Sequence, residues 1–201
     1  PFWGVKTNMI KATNLFKSFK SGEASELVVL KNLSLRVGAG EFLAVTGRSG
    51  SGKSTLLYQL GLLDLPNAGS IMIDGVETTT LSNNERTAMR LQDLGYVFQD
   101  YALIPSLTAL ENVLIPLLMQ GLLKLKAVTK ATLALQRVGL ANKLHNLPSQ
   151  LSGGEQQRVS IARAIGHEPK IIFADEPTAN LDSETSKVIL QAFVELNKQG
   201  Q

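Results

Sequence analysis

Residues 47–54 read Gly47-Arg48-Ser49-Gly50-Ser51-Gly52-Lys53-Ser54, and the rest of the chain is intelligible from them. The pattern is G-x-x-x-x-G-K-[ST], a phosphate-binding loop. Its glycines let the backbone curl until several N–H groups point into one concavity, an anion nest. Lys53 adds a compact positive charge for the outer phosphates, and the Ser54 hydroxyl can ligate Mg²⁺. A helix beginning near Lys53 turns its positive end toward the same anion.

The neighbourhood has the order such a loop requires. Upstream, the apolar run Glu41–Thr46 reads as a buried strand. Downstream, Ser54–Leu63 reads as a helix, so strand, glycine loop and helix follow one another. Further upstream, Met9–Leu15 and Leu27–Val37 have the character of β segments, separated by the polar turn Lys20–Ser25. Gly38-Ala39-Gly40 is a turn, Pro66–Ser70 another, and Ile71–Ile73 a short strand closed by Asp74-Gly75. Pro1–Asn8 have no clear period, precede Met9, and read as a remnant foreign to the native chain.

Past Ser82-Asn-Asn-Glu85, a capping box that opens a helix through about Leu94, Gly95–Phe98 is a strand candidate ending at Gln99. From Asp100 to Ile165 most of the sequence reads helical, punctuated by Gly139 and the Leu147-Pro148 break. Thr108 and Glu111 form a second capping box, and Val128, Ala131, Leu135 and Val138 share one helical face. Lys170–Ala174 returns to a buried strand, followed by a helix from Ser183 to Lys198. This order implies an α/β fold, a nucleotide-binding core interrupted by a helical subdomain.

Two further stretches carry chemistry. Ile171-Ile-Phe-Ala-Asp175-Glu176 is an apolar strand ending in two carboxylates. Strand ends of a parallel sheet are where ligands collect, so Asp175 is placed to hold Mg²⁺ and Glu176 to orient or deprotonate a water. Leu151-Ser152-Gly153-Gly154-Glu155-Gln-Gln-Arg158 opens with a capping box, Ser152 to Glu155, which is an ordinary helix start. Two glycines at that start also leave backbone N–H groups open, a second phosphate-binding surface in one chain.

Composition sets limits. The chain has 201 residues, 44% of them hydrophobic, enough for one core. Lys and Arg number 20 against 17 acidic residues, a balance that argues against nucleic acid as a partner. No cysteine is present, so no disulfide or thiolate metal site is expected. The best apolar run, Val113–Met119, is far shorter than the ~20 residues of a membrane span. Work at a membrane would require docking onto something that crosses it.

Taken together, these motifs resemble the ATP-binding subunit of an ABC transporter, from about Met9 to the end of the chain. The resemblance identifies Gln99 as the glutamine loop, Leu151–Glu155 as the signature, Ile171–Glu176 as Walker B and Asn180-Leu181-Asp182 as the D-loop. It implies one ATP-binding domain: 9–98 and 166–201 form the nucleotide-binding core with an N-terminal antiparallel β subdomain, and 99–165 the helical subdomain. It also implies that two copies pair head to tail around ATP and Mg²⁺.

In that arrangement ATP meets Gly47, Arg48, Ser49, Gly50, Ser51, Gly52, Lys53, Ser54 and Thr55 of one copy. Ser152, Gly153 and Gly154 of the other copy close over it. Phe19 matches the aromatic residue that stacks on adenine, although a strand residue of the core reads almost as well. Ser54, Gln99 and Asp175 would serve Mg²⁺; Glu176, Gln99 and Lys53 would serve hydrolysis; Asp182 would lie at the dimer seam.

An integral membrane permease is expected to dock near Gln99–Met119, on a cytoplasmic protein peripheral to the inner face of the membrane. Within the family the likeness is to cassettes of lipoprotein release, macrolide export and cell division, the last a regulatory ATPase that drives no transport. A soluble ABC-type protein of DNA repair or translation fits poorly, since neither a long coiled-coil insertion nor a second cassette is visible. The family's γ-phosphate histidine lies on a strand that should begin near Gln201, so the chain is expected to be C-terminally truncated and weakly active. His145 and His167 read as surface residues.

Overall fold

A computed structural model describes residues 8–21 and 25–200. The chain divides into two compact units, residues 1–87 and 88–201. The centre of the expected turn between the first two β segments and nearly all of Pro1–Asn8 lie outside the described residues.

The first unit is built on a hairpin, β1 (Asn8–Ser21) and β2 (Ser25–Gly38), to which β3 (Ala68–Ile73) and β4 (Val76–Glu77) add in the order β2-β1-β3-β4. All pairs are antiparallel, as expected for the β subdomain. Side chains alternate across a strand, so Ile10 and Ala12 of β1 and Ile71 and Ile73 of β3 are buried together on one face. Asp74 and Gly75 both have positive φ, 48° and 80°, the backbone of a tight two-residue hairpin turn. Lys17 is buried on β1. Its ammonium donates to Asp64 Oδ1 at 2.9 Å and to the Leu65 carbonyl at 2.7 Å, tying the strand to the segment after the first helix.

That helix, α1, spans Lys53–Leu60, shorter than the expected Ser54–Leu63; it stops at Gly61, and Leu62 takes φ 60°. The segment expected to be a buried strand, Glu41–Thr46, is not one. It joins no sheet among the described residues, and Phe42, Leu43 and Val45 are exposed. An apolar run is only a candidate strand until a neighbour supplies its ladder hydrogen bonds. Its start is instead fixed by a turn, in which Glu41 N–H donates to Gly38 O at 3.2 Å and Gly38 N–H to Glu41 Oε2 at 2.7 Å.

The second unit packs its helices around a two-stranded parallel sheet. Helix α2 (Asn83–Asp93) runs across the sequence division into β5 (Leu94–Val97), which pairs in parallel with β6 (Ile171–Ala174). Between them come α3 (Ala109–Met119), α4 (Lys124–Arg137) and α5 (Gly153–Ile165), and after β6 comes α6 (Ser183–Lys198). The capping boxes expected at Ser82, Thr108 and Ser152 all form. Each holds its glutamate (Glu85, Glu111, Glu155) below the usual carboxylate range through the hydrogen bonds of the cap residue.

Helix α5 is the axis of the core. Val159, Ile161, Ala162 and Ile165 are buried against Val113 and Leu117 of α3, Ala131 and Leu135 of α4, and Ile189 and Phe193 of α6. Each large side chain so buried stabilises the unit by about 1.5–3 kcal/mol. The helical stretch 99–165 therefore shares its core with β5 and α6.

His167 corrects the surface reading. It is half-buried, with its ring Nε2 3.1 Å from Leu94 O, a partner brought in by the pairing of β5 and β6. Burial pushes its pKa below the usual histidine value, and Lys130 adds to the effect; the Leu94 carbonyl and Asp93 oppose it. Folding thus disfavours the imidazolium, so the unfolded chain binds the extra proton. Stability falls as pH drops through the ordinary histidine range and levels off below the depressed value. Glutamine, which can donate to Leu94 O without titrating, should flatten stability between about pH 7 and pH 5. Urea midpoints of His167→Gln at the two pH values check this; a slope equal to that of the parent protein would remove His167 as the cause.

Candidate active site

The glycine loop lies in the first unit, between the exposed segment 41–46 and α1. Gly50 and Gly52 have φ of 75° and 91°, left-handed conformations that glycine adopts without penalty. Gly52 is also held close to the hairpin, since a Cβ there would lie 2.9 Å from Val29 Cγ1. At Gly47 a Cβ would stand 2.7 Å from Ser51 Oγ, so a side chain would crowd the interior of the curl. Lys53 folds back over the loop, its ammonium 3.3 Å from both Gly47 O and Arg48 O.

Helix α1 starts with no side-chain cap and no acidic residue in its first turn. Its leading N–H groups and the positive end of its dipole therefore face no competing carboxylate of that turn. A glycine-lined curl, an ammonium and an uncapped helix start suit the triphosphate of a nucleotide. Of the residues expected to serve Mg²⁺, Ser54 lies in the first unit and Gln99 and Asp175 in the second; each offers a hard oxygen donor of the kind Mg²⁺ takes beside phosphate.

Phe19 is 44% exposed on β1, with the Lys17 ammonium 5.0 Å from its ring centroid. The core-residue reading is thereby set aside, and the ring presents apolar surface to solvent.

In the second unit the parallel pairing of β5 and β6 brings Gln99 and Asp175 to the same, carboxyl-terminal end of the sheet. Asp175 N–H continues the ladder to Val97 O at 3.0 Å, and its side chain is buried. The chain then turns at Glu176, which is exposed and holds φ 43°. A left-handed glutamate is uncommon, and such strain clusters at functional sites. Asn180 Nδ2 donates to Gln99 O at 3.2 Å, so the D-loop and the glutamine loop are hydrogen-bonded. Asp182 caps α6, accepting from Glu184 N–H at 3.0 Å and Thr185 N–H at 2.9 Å, and Thr185 above all holds its carboxyl below the usual range.

At the start of α5, Ser152 Oγ accepts from Glu155 N–H at 3.3 Å, and Glu155 Oε2 accepts from Ser152 N–H at 2.8 Å. The Glu155 charge, which would oppose an anion, is partly met by Lys143 at 3.3 Å. The two glycines have a packing reason beside the electrostatic one. A Cβ at Gly153 would lie 2.9 Å from Tyr101 Oη, and one at Gly154 2.4 Å from Thr185 Cγ2. The signature thus sits directly against the loop after Gln99 and the first turn of α6.

Two residues of this arrangement escaped the sequence reading. Arg163 on α5 donates from Nη2 to Tyr101 O at 2.9 Å and from Nη1 to Ala102 O. Both acceptors belong to left-handed residues, φ 58° and 49°. Asn112 on α3 is buried; it accepts from Ile104 N–H at 2.7 Å and donates to Leu107 O at 3.0 Å. Residues 101–107 are therefore pinned at both ends. The partners of Arg163 lie some sixty residues back along the chain, and those of Asn112 are main-chain groups of the loop before its own helix, so neither side chain announces them in the sequence.

Comparison with known proteins agrees with this geometry. A family model described as ABC transporter matches residues 30–179. The lipoprotein-releasing system ATP-binding protein LolD of Aquifex aeolicus is 46% identical over 96% of this chain and 84% of its own length. The macrolide export ATP-binding/permease protein MacB of Bdellovibrio bacteriovorus is 44% identical over 96% of this chain, which covers 29% of that longer protein. A dimeric structure of the ATP-binding cassette MJ0796 bound to ADP and Pi superposes with a TM-score of 0.88 at 42% identity, over 96% of this chain and 84% of that one.

Proposed function

Since the chain belongs to the ABC transporter family, we propose that it is an ATPase subunit whose ATP-driven dimerisation moves a membrane permease, of the lipoprotein-release or export type. What carries the reading is the presence in one chain of two helix starts built on glycine, α1 behind Gly52 and α5 at Gly153-Gly154. The first is surrounded by the loop that grips phosphate. The second is a glycine pair, and head-to-tail pairing of two copies gives it a phosphate to face. The dimeric cassette described above supports that pairing.

ATP and Mg²⁺ supply the scissile phosphoryl group and its charge neutralisation. Gly47–Thr55 bind the phosphates, Lys53 holds the outer ones, and Ser54, Gln99 and Asp175 offer oxygen ligands to Mg²⁺. Glu176 takes the proton of the attacking water, and Phe19 stacks on the base. Positioning and electrostatic stabilisation supply the rate. Among the described residues no helix is long and apolar enough to cross a membrane. The site of action proposed is the inner face of the cell membrane, with the permease docked along Gln99–Met119.

Lys53→Ala removes a charge-assisted contact worth about 1.5–3 kcal/mol and should weaken ATP binding by about ten- to a hundredfold. Calorimetry with Mg²⁺ present reads this directly, and unchanged affinity would take the phosphates elsewhere. The pairing has its own test. Ser152→Asp keeps a good helix cap but sets a carboxylate where the partner's triphosphate should lie. Lys53→Ala and Ser152→Asp should each be inactive alone. Mixed, they assemble one undamaged composite site per heterodimer and should regain hydrolysis. No gain on mixing would sink the shared site.

A further inference from the structure

Helix α4 wears its apolar residues inside out. Its buried face is mostly alanine, Ala127, Ala131 and Ala134 with Leu135, whereas Leu125 and Leu133 are 80% and 53% exposed. The turn leading into it adds Leu123, 73% exposed. Lys124 and Lys126 alternate with these leucines and are exposed as well.

Along the chain, the charge of this stretch has one sign. Between Glu111 and Glu155 the sequence contains no acidic residue. Of the basic residues in that interval, Lys130 pairs with Glu168, Arg137 donates to Gln199 and Lys143 pairs with Glu155. Lys124 and Lys126 have no ion-pair partner among the described residues.

We propose that the α3–α4 turn and the first turn of α4, residues 120–126, form a lipid-contacting surface that inserts its leucines into an anionic bilayer interface. Apolar side chains flanked by lysines are the pattern of interfacial insertion: the leucines enter the acyl boundary while the long lysine stems keep their ammonium groups at the phosphates. Protein partners favour anchors that fill well-packed pockets, whereas Leu123 and Leu125 stand out from the surface. A few leucines and two lysines make a weak anchor, suited to orienting a protein that a permease already holds.

Vesicle flotation of the full chain without nucleotide tests this, using phosphatidylglycerol-rich and pure phosphatidylcholine vesicles. The parent protein should float with the anionic vesicles about fivefold more than with neutral ones, and less at high salt. Leu123→Ser/Leu125→Ser and Lys124→Glu/Lys126→Glu should each fall to the neutral-vesicle level while melting normally, since all four side chains are exposed. Equal flotation on both vesicles, or variants that float as well as the parent, would overturn the proposal. It is also overturned if nothing floats and the leucine variant instead changes the dimer on a sizing column, or loses a co-purifying membrane subunit. The patch would then belong to a second copy or to a protein partner. Flotation is read without nucleotide, so its failure leaves the ATPase reading intact.

Discussion

Glu176→Gln should lower ATP hydrolysis by about a hundred- to ten-thousandfold, the range that general-base catalysis supplies, while leaving ATP affinity within a few-fold of the parent. The amide is the same size as the carboxylate but accepts no proton at neutral pH. It also imposes no new backbone cost, because glutamine and glutamate are equally unfavoured at φ 43°. The contacts proposed to hold phosphate, the curl of Gly47–Gly52 and Lys53, belong to a different part of the chain and are untouched. Binding without turnover should therefore accumulate the ATP-held dimer. Size-exclusion chromatography of the variant should give a dimer with ATP and a monomer with ADP. Turnover within about twofold of the parent would place the base elsewhere.

What could be read from the sequence was what neighbours along the chain decide. Thr108 and Glu111, or Ser152 and Glu155, make their capping boxes across three residues, and Asp74-Gly75 turns a hairpin by its own backbone preference. The loop at Gly47–Ser54 was legible for the same reason, since the left-handed glycines and the helix start are all local. Glu41–Thr46 failed because a strand needs a partner, and apolar character alone does not provide one. His167 failed because its neighbour is Leu94, placed there by pairing of two distant strands. Phe19 is ambiguous in the sequence because its exposure depends on what packs over β1, not on its neighbours along the strand. The packing of Gly154 on Thr185 was likewise hidden, since it follows from how α6 meets α5, and nothing in the residue type of Glu176 announces its left-handed φ.

The most consequential hidden contact is Arg163, and its removal should cost the second unit about 3–5 kcal/mol. Two adjacent left-handed residues, Tyr101 and Ala102, are each disfavoured by about 1–2 kcal/mol, so their loop persists only if something outside it holds it. The guanidinium does so with two charge-assisted hydrogen bonds from one rigid fork. Burial pushes its pKa below the usual guanidinium value, yet arginine stays charged in proteins. Arg163→Met leaves both carbonyls without that partner and should lower the melting temperature sharply. Arg163→Lys restores one bond and should recover about half of the loss. The same pair separates support from catalysis. Gln99 lies two residues before Tyr101, and Gly153 rests against the Tyr101 hydroxyl. Arg163→Lys should therefore bind ATP normally, hydrolyse it about tenfold more slowly, and show a kcat defect with little change in KM. Methionine at this position with an unaltered melting temperature would mean that the loop holds its own shape, and that α5 does not set the position of Gln99.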